Sequence, residues 1–244
     1  MKADKMKQFL LALFFVPCAA LANESVHLDR ATDVQSNPAA LQNGARLFVN
    51  YCLNCHGLSF VRYNRLTELG LTEQQIKDNL MFTSDKIGEP MRIAARPAEQ
   101  KKWFGVAPPD LSLVARARAS ADGSGADWLY TYLRSFYRDE NRPTGWNNTL
   151  FANVGMPHVL WELQGQQELQ EAKEGAHQLT LSRPGQLSPA EFDREVNDLV
   201  GFLVWAGEPA AGFRKQLGVG VLLFLVLLFG VSYALKKAYW KDVK

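Results

Sequence analysis

The 244-residue chain is 47% apolar and 21% charged, and its 27 Lys and Arg against 25 Asp and Glu leave a formal net charge of +2. Such a composition belongs to a globular chain that can bury one moderate domain with room for a smaller appendage, and it excludes a disordered polymer. Three cysteines are too few for a disulfide-stapled scaffold, and the near-balanced charge offers no basic excess for a nucleic-acid partner.

Lys2, Lys5 and Lys7 precede an apolar run from Phe9 to Pro17, and small residues end in Ala20-Leu21-Ala22. This is the layout of a secretory signal over residues 1–22, cut before Asn23, and its apolar run is too short to span a bilayer comfortably. Cys18 lies inside it, and Val16-Pro17 suits a lipoprotein signal poorly. The polar stretch Asn23 to Gln35 reads as an irregular arm. Asn37 followed by Pro38 is a helix start, an N-cap with proline at the first helical position. Leu41, Ala45, Phe48 and Cys52 then recur at i, i+4, i+7 and i+11, so one apolar face carries Cys52 at the helix end. Gly44 inside that helix costs about 1 kcal/mol against alanine, which predicts a close helix crossing there.

Tyr51 leads into Cys52-Leu53-Asn54-Cys55-His56, and Cys-x-x-Cys-His in an exported chain reads as an attachment site for a c-type haem. Two thiols one turn apart can form thioethers with two vinyl groups, and the adjoining histidine reaches the iron as proximal ligand. Half of a zinc site or a thioredoxin-like redox pair would use the same Cys-x-x-Cys. Zinc needs further ligands at matched spacing and there is no second cysteine pair. A redox pair belongs beside a βαβ pattern, which the chain lacks. Cys52, Cys55 and His56 are therefore expected to hold one covalently bound haem c, and the mature chain has no structural disulfide to form.

Further on, Thr72 with Gln75 can cap a helix to about Met81. Ser124 to Tyr137 reads as another, with Trp128, Leu129, Tyr132, Leu133 and Phe136 forming core and part of a haem wall. Residues 162–187 are rich in Gln and Glu, and the alternation at Leu179-Thr180-Leu181 predicts a small strand or hairpin within an insertion. Ser188-Pro189-Ala190-Glu191 is a capping box with proline at the first position. Phe192, Val196, Leu199, Leu203 and Ala206 form the stripe of the helix it starts, and Gly207 and Pro209 end it. That helix is the expected partner in the crossing at Gly44. No internal repeat is apparent.

Leu217 to Leu235 is a run of 19 residues without a charge, which at about 1.5 Å per residue reaches roughly 28 Å, close to the hydrocarbon thickness of a bilayer. Arg214 and Lys215 precede it, and Lys236, Lys237, Lys241 and Lys244 follow, with Tyr239 and Trp240 as interfacial anchors. The heavier basic flank is C-terminal, which places that tail in the cytoplasm. The expected order is a signal over 1–22, a periplasmic haem domain over 23–213, an inner-membrane anchor over 214–236 and a cytoplasmic tail over 237–244. The signal takes three Lys and one Asp, and the segment from Arg214 takes six Lys and Arg and one Asp. That leaves 18 basic and 23 acidic residues, a net charge of −5, for residues 23–213. An acidic ectodomain steers a basic soluble partner toward it, or serves solubility alone.

A haem that only passes electrons needs a sixth ligand, commonly methionine or histidine, and methionine raises its potential. The exported part offers Met81, Met91, Met156, His27, His158 and His177. Met156 is preferred because Asn153-Val154-Gly155-Met156-Pro157 pairs a glycine that permits close approach to a flat macrocycle with a proline that stiffens the loop. Otherwise a loop methionine is core filler. His158 is the nearest rival, and its alternative is a surface histidine.

Five segments together resemble the cytochrome c1 family, the c-type haem subunit of the cytochrome bc1 complex: Cys52-Leu53-Asn54-Cys55-His56, Ala107-Pro108-Pro109-Asp110-Leu111-Ser112-Leu113, Arg116-Ala117-Arg118, Gly155-Met156-Pro157, and Val200-Gly201-Phe202-Leu203-Val204-Trp205-Ala206-Gly207-Glu208-Pro209 before the C-terminal span. The resemblance implies a mainly α fold, a cytochrome c-like haem domain with a small insertion plus one C-terminal transmembrane helix. It implies Met156 as distal ligand, Pro109 as a haem-wall contact, and Arg118 paired with a haem propionate, a carboxylate that guanidinium suits. Arg118 is otherwise a solvated helix arginine. The implied function is non-catalytic: the chain accepts one electron from the Rieske iron–sulfur protein, which drew it from quinol at cytochrome b, and hands it to a soluble cytochrome c. Two rival functions are a tethered cytochrome feeding a terminal oxidase and a haem enzyme or sensor with an open sixth site. Residues 162–187 depart from the family pattern, and the chain lacks the cysteines for a disulfide that some members carry.

Overall fold

The computed structural model describes residues 27–171 and 177–242. The secretory signal expected over residues 1–22, with Cys18, lies outside them. Two helices frame the haem-motif end of the chain. Helix α1 (Pro38–Leu47) is capped by Asn37, whose side chain accepts from the Ala40 amide. It crosses a long helix near the other end of the sequence, Pro189–Gly207, which opens on the Ser188–Glu191 capping box. The crossing is as close as Gly44 demands: a Cβ there would fall onto the Asp198 carbonyl oxygen and lie 2.7 Å from Phe202 Cβ. Leu41, Ala45, Phe48 and Cys52 on one side and Phe192, Val196, Leu199, Leu203 and Ala206 on the other are all buried. Phe48 and Phe202 meet with ring centroids 5.8 Å apart.

Helix α1 does not run regularly to Cys52. After Leu47 the backbone widens into a π turn over Phe48–Cys52, closed by the Leu53 amide donating to the Phe48 carbonyl at 2.9 Å. Such one-turn widenings cluster at functional sites because they re-aim a side chain without breaking the helix. Strand β1 (Leu58–Arg62) follows and pairs antiparallel with β2 (Pro90–Met91). Between them lie a 3-10 turn, Tyr63–Leu69, and α2 (Glu73–Asn79), which carries the Thr72–Gln75 capping box. Next come α3 (Pro97–Phe104) and the single turn α4 (Val114–Ala117).

Helix α5 (Gly125–Arg134) is shorter than the sequence pattern implied, because Phe136 and Tyr137 belong to strand β3 (Phe136–Arg138), paired with β4 (Trp146–Asn148). The helix stops where its last carbonyls find side-chain partners. Asn148 donates to the Tyr132 carbonyl at 2.8 Å, and Gln164 and Gln167 donate to the Arg134 carbonyl at 3.1 and 2.9 Å. Residues 27–35 of the arm before α1 are irregular, as expected, and lie along α5: the Asp29 and Ala31 amides donate to Thr131 and Asp127. Arg134 ties it to the long helix through Asp29 and Asp193 at 2.7 and 2.6 Å.

The described part of the Gln/Glu-rich insertion contains an antiparallel strand pair. After the short α6 (Trp161–Gln164), β5 (Gly165–Glu171) pairs antiparallel with β6 (His177–Pro184). The Pro189–Gly207 helix is thus α7, and α8 (Ala211–Tyr239) follows it after three residues. Helix α8 has a mean hydropathy of 2.4 over its most apolar window, is long and apolar enough to cross a membrane, and buries none of that window within the chain. It begins six residues before the uncharged run at Leu217, so Arg214 and Lys215 sit in its first turns, where they pair with Glu208 at 2.5 Å and Asp33 at 3.8 Å.

Candidate haem site

The Cys-x-x-Cys-His segment is a tight turn hung from the π turn. The amides of Cys55 and His56 both donate to the Cys52 carbonyl, at 3.0 and 2.8 Å. Cys52 is buried and Cys55 half-buried, and neither forms a disulfide. Burial pushes the Cys52 thiol up to about 12, with neighbouring Cys55 adding to the shift. A redox-active pair needs a thiol whose pKa is depressed, so this environment favours a capped sulfur over a thioredoxin-like couple.

His56 is oriented by a residue 53 positions away. Its Nδ1–H donates to the Pro109 carbonyl at 2.7 Å, which fixes the tautomer and leaves Nε2 as the lone-pair nitrogen. Nε2 has no hydrogen bond among the described residues. Burial lowers the His56 pKa against the pull of the Pro109 carbonyl and of Asp110, and so favours the neutral ring that a metal requires.

The Pro108-Pro109-Asp110-Leu111-Ser112 block is laced to the residues just after His56. Asp110 accepts from the amides of Ser59 and Ser112 at 2.8 and 2.9 Å, Ser112 Oγ accepts from Phe60, and the Leu111 amide donates to the Gly57 carbonyl. Proline at 109 leaves a carbonyl with no amide of its own and a fixed φ, a rigid acceptor for the histidine. Behind the turn, fully buried Gln100 of α3 donates to the Cys55 carbonyl at 2.9 Å. Sequence reasoning missed Gln100, since a glutamine on a short polar helix gives no signal of what it bonds.

Met156 lies in a loop held at its start by strand β4. Asn148 Oδ1 accepts from the amides of Leu150 and Phe151, and Asn147 Oδ1 accepts from Asn153. Asn153 takes a positive φ of 62°, which asparagine tolerates better than most residues, and Arg142 donates to its carbonyl at 2.8 Å. Tyr132 of α5 donates its hydroxyl to Met156 Sδ at 3.5 Å. A Cβ on Gly155 would meet no atom of the described residues within 4 Å, so nothing among them demands glycine there.

The other candidate ligands separate by burial. Met91 is fully buried in β2, a core side chain. His27 is exposed beside Asp29. His158 is 2% exposed, which overturns its reading as a surface histidine. Its ring stacks on Phe136 and meets the edge of Trp146, and burial lowers its pKa to about 4.

Arg118 caps α4 and lies over the Trp128 ring at 4.3 Å and near Phe151 at 5.6 Å. It is exposed and has no carboxylate partner among the described residues. Trp128 stacks on Tyr132, centroids 4.9 Å apart. The structure therefore joins Cys52, Cys55, His56 and Pro109 in one bonded cluster, and Arg118 and Met156 in another through Trp128 and Tyr132. Tyr132 belongs to the surroundings of both cores. The donor set fits a c-type haem: two thiols, an imidazole with a fixed tautomer, a thioether, and an unpaired guanidinium for a carboxylate.

A family model described as the Cytochrome C1 family matches residues 34–243. Among curated relatives, the ammonia monooxygenase gamma subunit of Nitrosomonas europaea is 46% identical over 239 residues, 98% of each chain. Cytochrome c1 of Allochromatium vinosum is 45% identical over 251 residues, covering 98% of this chain and all of that one. Cytochrome c1 of Rhodospirillum rubrum is 32% identical over 241 residues, 84% of this chain and 82% of that one.

Proposed function

Because this chain belongs to the Cytochrome C1 family, we propose that it is the c-type cytochrome subunit of a cytochrome bc1 complex, accepting one electron from a Rieske iron–sulfur protein and passing it to a soluble cytochrome c. The observation that carries this reading is the His56 Nδ1–H bond to the Pro109 carbonyl within a turn closed by Cys52 and Cys55. It turns a short motif into an oriented ligand. One such motif in the sequence implies one haem.

When bound, the haem supplies reversible one-electron chemistry. Cys52 and Cys55 would tether it, and His56 would hold its iron through Nε2. Met156 would supply Sδ as a further ligand, from a loop where the bare Gly155 leaves room for the group. Arg118, stacked on Trp128 and without a carboxylate partner among the described residues, would neutralise a propionate, and Pro109 would form part of the wall. Helix α8 anchors the domain, with residues 23–213 in the periplasm and 237–244 in the cytoplasm, as its C-terminal basic flank favours. Residues 1–22 direct export and are removed.

The test is quinol-driven reduction in membranes, read at this chain's haem band. The haem is expected to reduce within the complex, to stay oxidised when the Rieske protein is removed, and to reoxidise on adding a soluble c-type cytochrome. Reduction that survives loss of the Rieske protein, or a mature chain whose mass lacks a covalent haem, overturns the proposal. Reoxidation only when a terminal oxidase is present supports the tethered-cytochrome alternative.

The name of the Nitrosomonas relative raises a second reading, a subunit of a monooxygenase. Oxygen activation needs a metal with an exchangeable position, and Met156, read as the sixth ligand, would leave the haem iron none. Electron delivery is the part of such an assembly that these residues support.

A further inference from the structure

His158 is buried, yet its Nε2 has no hydrogen-bond partner among the described residues. Gln164 lies beside it with the complementary defect: its Oε1 is buried and unpartnered. The amide orientation of Gln164 is not free, because its Nε2 donates to the Arg134 carbonyl at 3.1 Å, which turns Oε1 toward acceptor duty elsewhere. One donor and one acceptor, side by side and both otherwise unmatched, form a pair that protein interiors seldom leave open.

The ring of His158 also closes a circuit around Met156. It stacks on Phe136 at 4.9 Å with planes 5° apart and meets the edge of Trp146 at 5.1 Å. Phe136 contacts Tyr132 at 5.2 Å, and the Tyr132 hydroxyl reaches Met156 Sδ. The start of the methionine loop is fixed by Asn147 and Asn148. Among the described residues its far end has no comparable side-chain clamp except this buried imidazole, two residues beyond Met156.

We infer that His158 is a positioning residue for the distal ligand: its ring is clamped by Phe136 and Trp146, and Gln164 Oε1 is the acceptor open to its Nε2–H, which holds Met156 where a haem iron needs its sulfur. This rests on the distal-ligand reading above. Residues that orient a metal ligand typically change metal-site affinity by 10- to 100-fold when removed. No other role is needed for the histidine, which acts only through Met156.

The test uses the full-length, haem-loaded protein in detergent. Two readouts are followed: the near-infrared sulfur-to-iron charge-transfer band of the oxidised protein, and the affinity of the oxidised haem for added imidazole. His158→Ala is expected to lose the band and to bind imidazole roughly 10- to 100-fold more tightly. His158→Phe keeps a ring on Phe136 but loses the N–H, so it gives a smaller rise. Gln164→Leu gives the same rise as His158→Phe, and the double variant adds nothing further. Haem content and far-UV circular dichroism unchanged from wild type mark these as ligand effects rather than unfolding. If His158→Ala fails to fold, His158→Phe and Gln164→Leu decide the matter. Wild-type band and imidazole affinity in all folded variants overturn the inference. A wild-type protein without the band, or a Met156→Ala protein that retains it, instead overturns the distal-ligand reading and the inference with it.

Discussion

Met156, the proposed distal ligand, is a thioether, a weak ligand whose hold on iron depends on what else the sulfur touches. Here it touches Tyr132, whose hydroxyl burial keeps protonated by pushing its pKa up to about 12. A hydrogen bond to the sulfur reduces its donation to the metal and favours the reduced state. Tyr132→Phe is expected to lower the midpoint potential by about 20–40 mV, taking such a bond as roughly 0.5–1 kcal/mol; an unchanged potential in redox titration sinks that account. Met156→Ala is expected to gain carbon monoxide binding in the reduced form and to lose potential. Met91→Ala and Met81→Ala should do neither, although Met91→Ala, emptying a fully buried site, should cost about 2–5 kcal/mol in denaturant unfolding. Equal spectral effects from Met91 would move the ligand assignment. The sequence pointed to Met156 through its glycine and proline neighbours. It did not point to Tyr132 or to the carbonyl of Pro109, because those contacts span 24 and 53 positions and no local periodicity encodes them.

At the scale of elements, the α1–α7 crossing was legible because caps, stripes and one costly glycine agreed. The small strands were not: β1 to β4 are two to five residues long and are set by tertiary partners such as Asn148 rather than by alternation. Helix α5 ends at Arg134, short of the Tyr137 its pattern suggests, for the same reason. Gly44→Ala tests the crossing. Its helix-propensity gain is about 1 kcal/mol, but the added carbon meets the Asp198 backbone, and overpacking of this kind costs typically 1–3 kcal/mol or more. A lower melting temperature is expected, and a raised one would contradict the packing described. Asp198 itself is an acid held at this crossing, its pKa raised by burial although Asn43 donates to it at 2.8 Å. A raised folded pKa means that protonation favours the folded state. The stability it contributes is full below the unfolded carboxylate pKa and is lost as pH rises through the folded value. Asp198→Asn is therefore expected to match or exceed the wild-type melting temperature at pH 7 and to lose that advantage near pH 3. A variant destabilised equally at both pH values would show that the carboxylate is needed for its geometry instead.

For the molecule as a whole, charge and membrane topology act together. The near-neutral total conceals a net charge of −5 over residues 23–213, offset by a basic segment from Arg214 onward. The internal pairs Arg46–Glu195, Arg65–Glu68 and Arg134–Asp193 cancel locally and leave that excess to act at distance. Helix α8 would hold the cationic tail from Lys236 on the far side of a bilayer where it cannot screen the ectodomain, while Arg214 and Lys215 stay beside Glu208 and Asp33. The field met by a soluble partner would then remain acidic, since two cations offset only part of the −5. Such fields raise association rates by roughly 10- to 1000-fold at low ionic strength, and they fade once the Debye length shrinks to about 10 Å at 0.1 M salt. The second-order rate of haem reoxidation by a basic soluble c-type cytochrome is thus expected to fall at least about tenfold between 0.01 and 0.3 M salt. An acidic cytochrome should show the opposite slope. A rate flat in salt for both would mean that the docking face is locally neutral, with the exposed Phe60, Trp103 and Phe104 rather than the carboxylates governing encounter. The same stopped-flow series on a Lys101→Ala, Lys102→Ala protein resolves that case, because removing two cations beside Trp103 steepens the slope for a basic partner only if that partner approaches over α3.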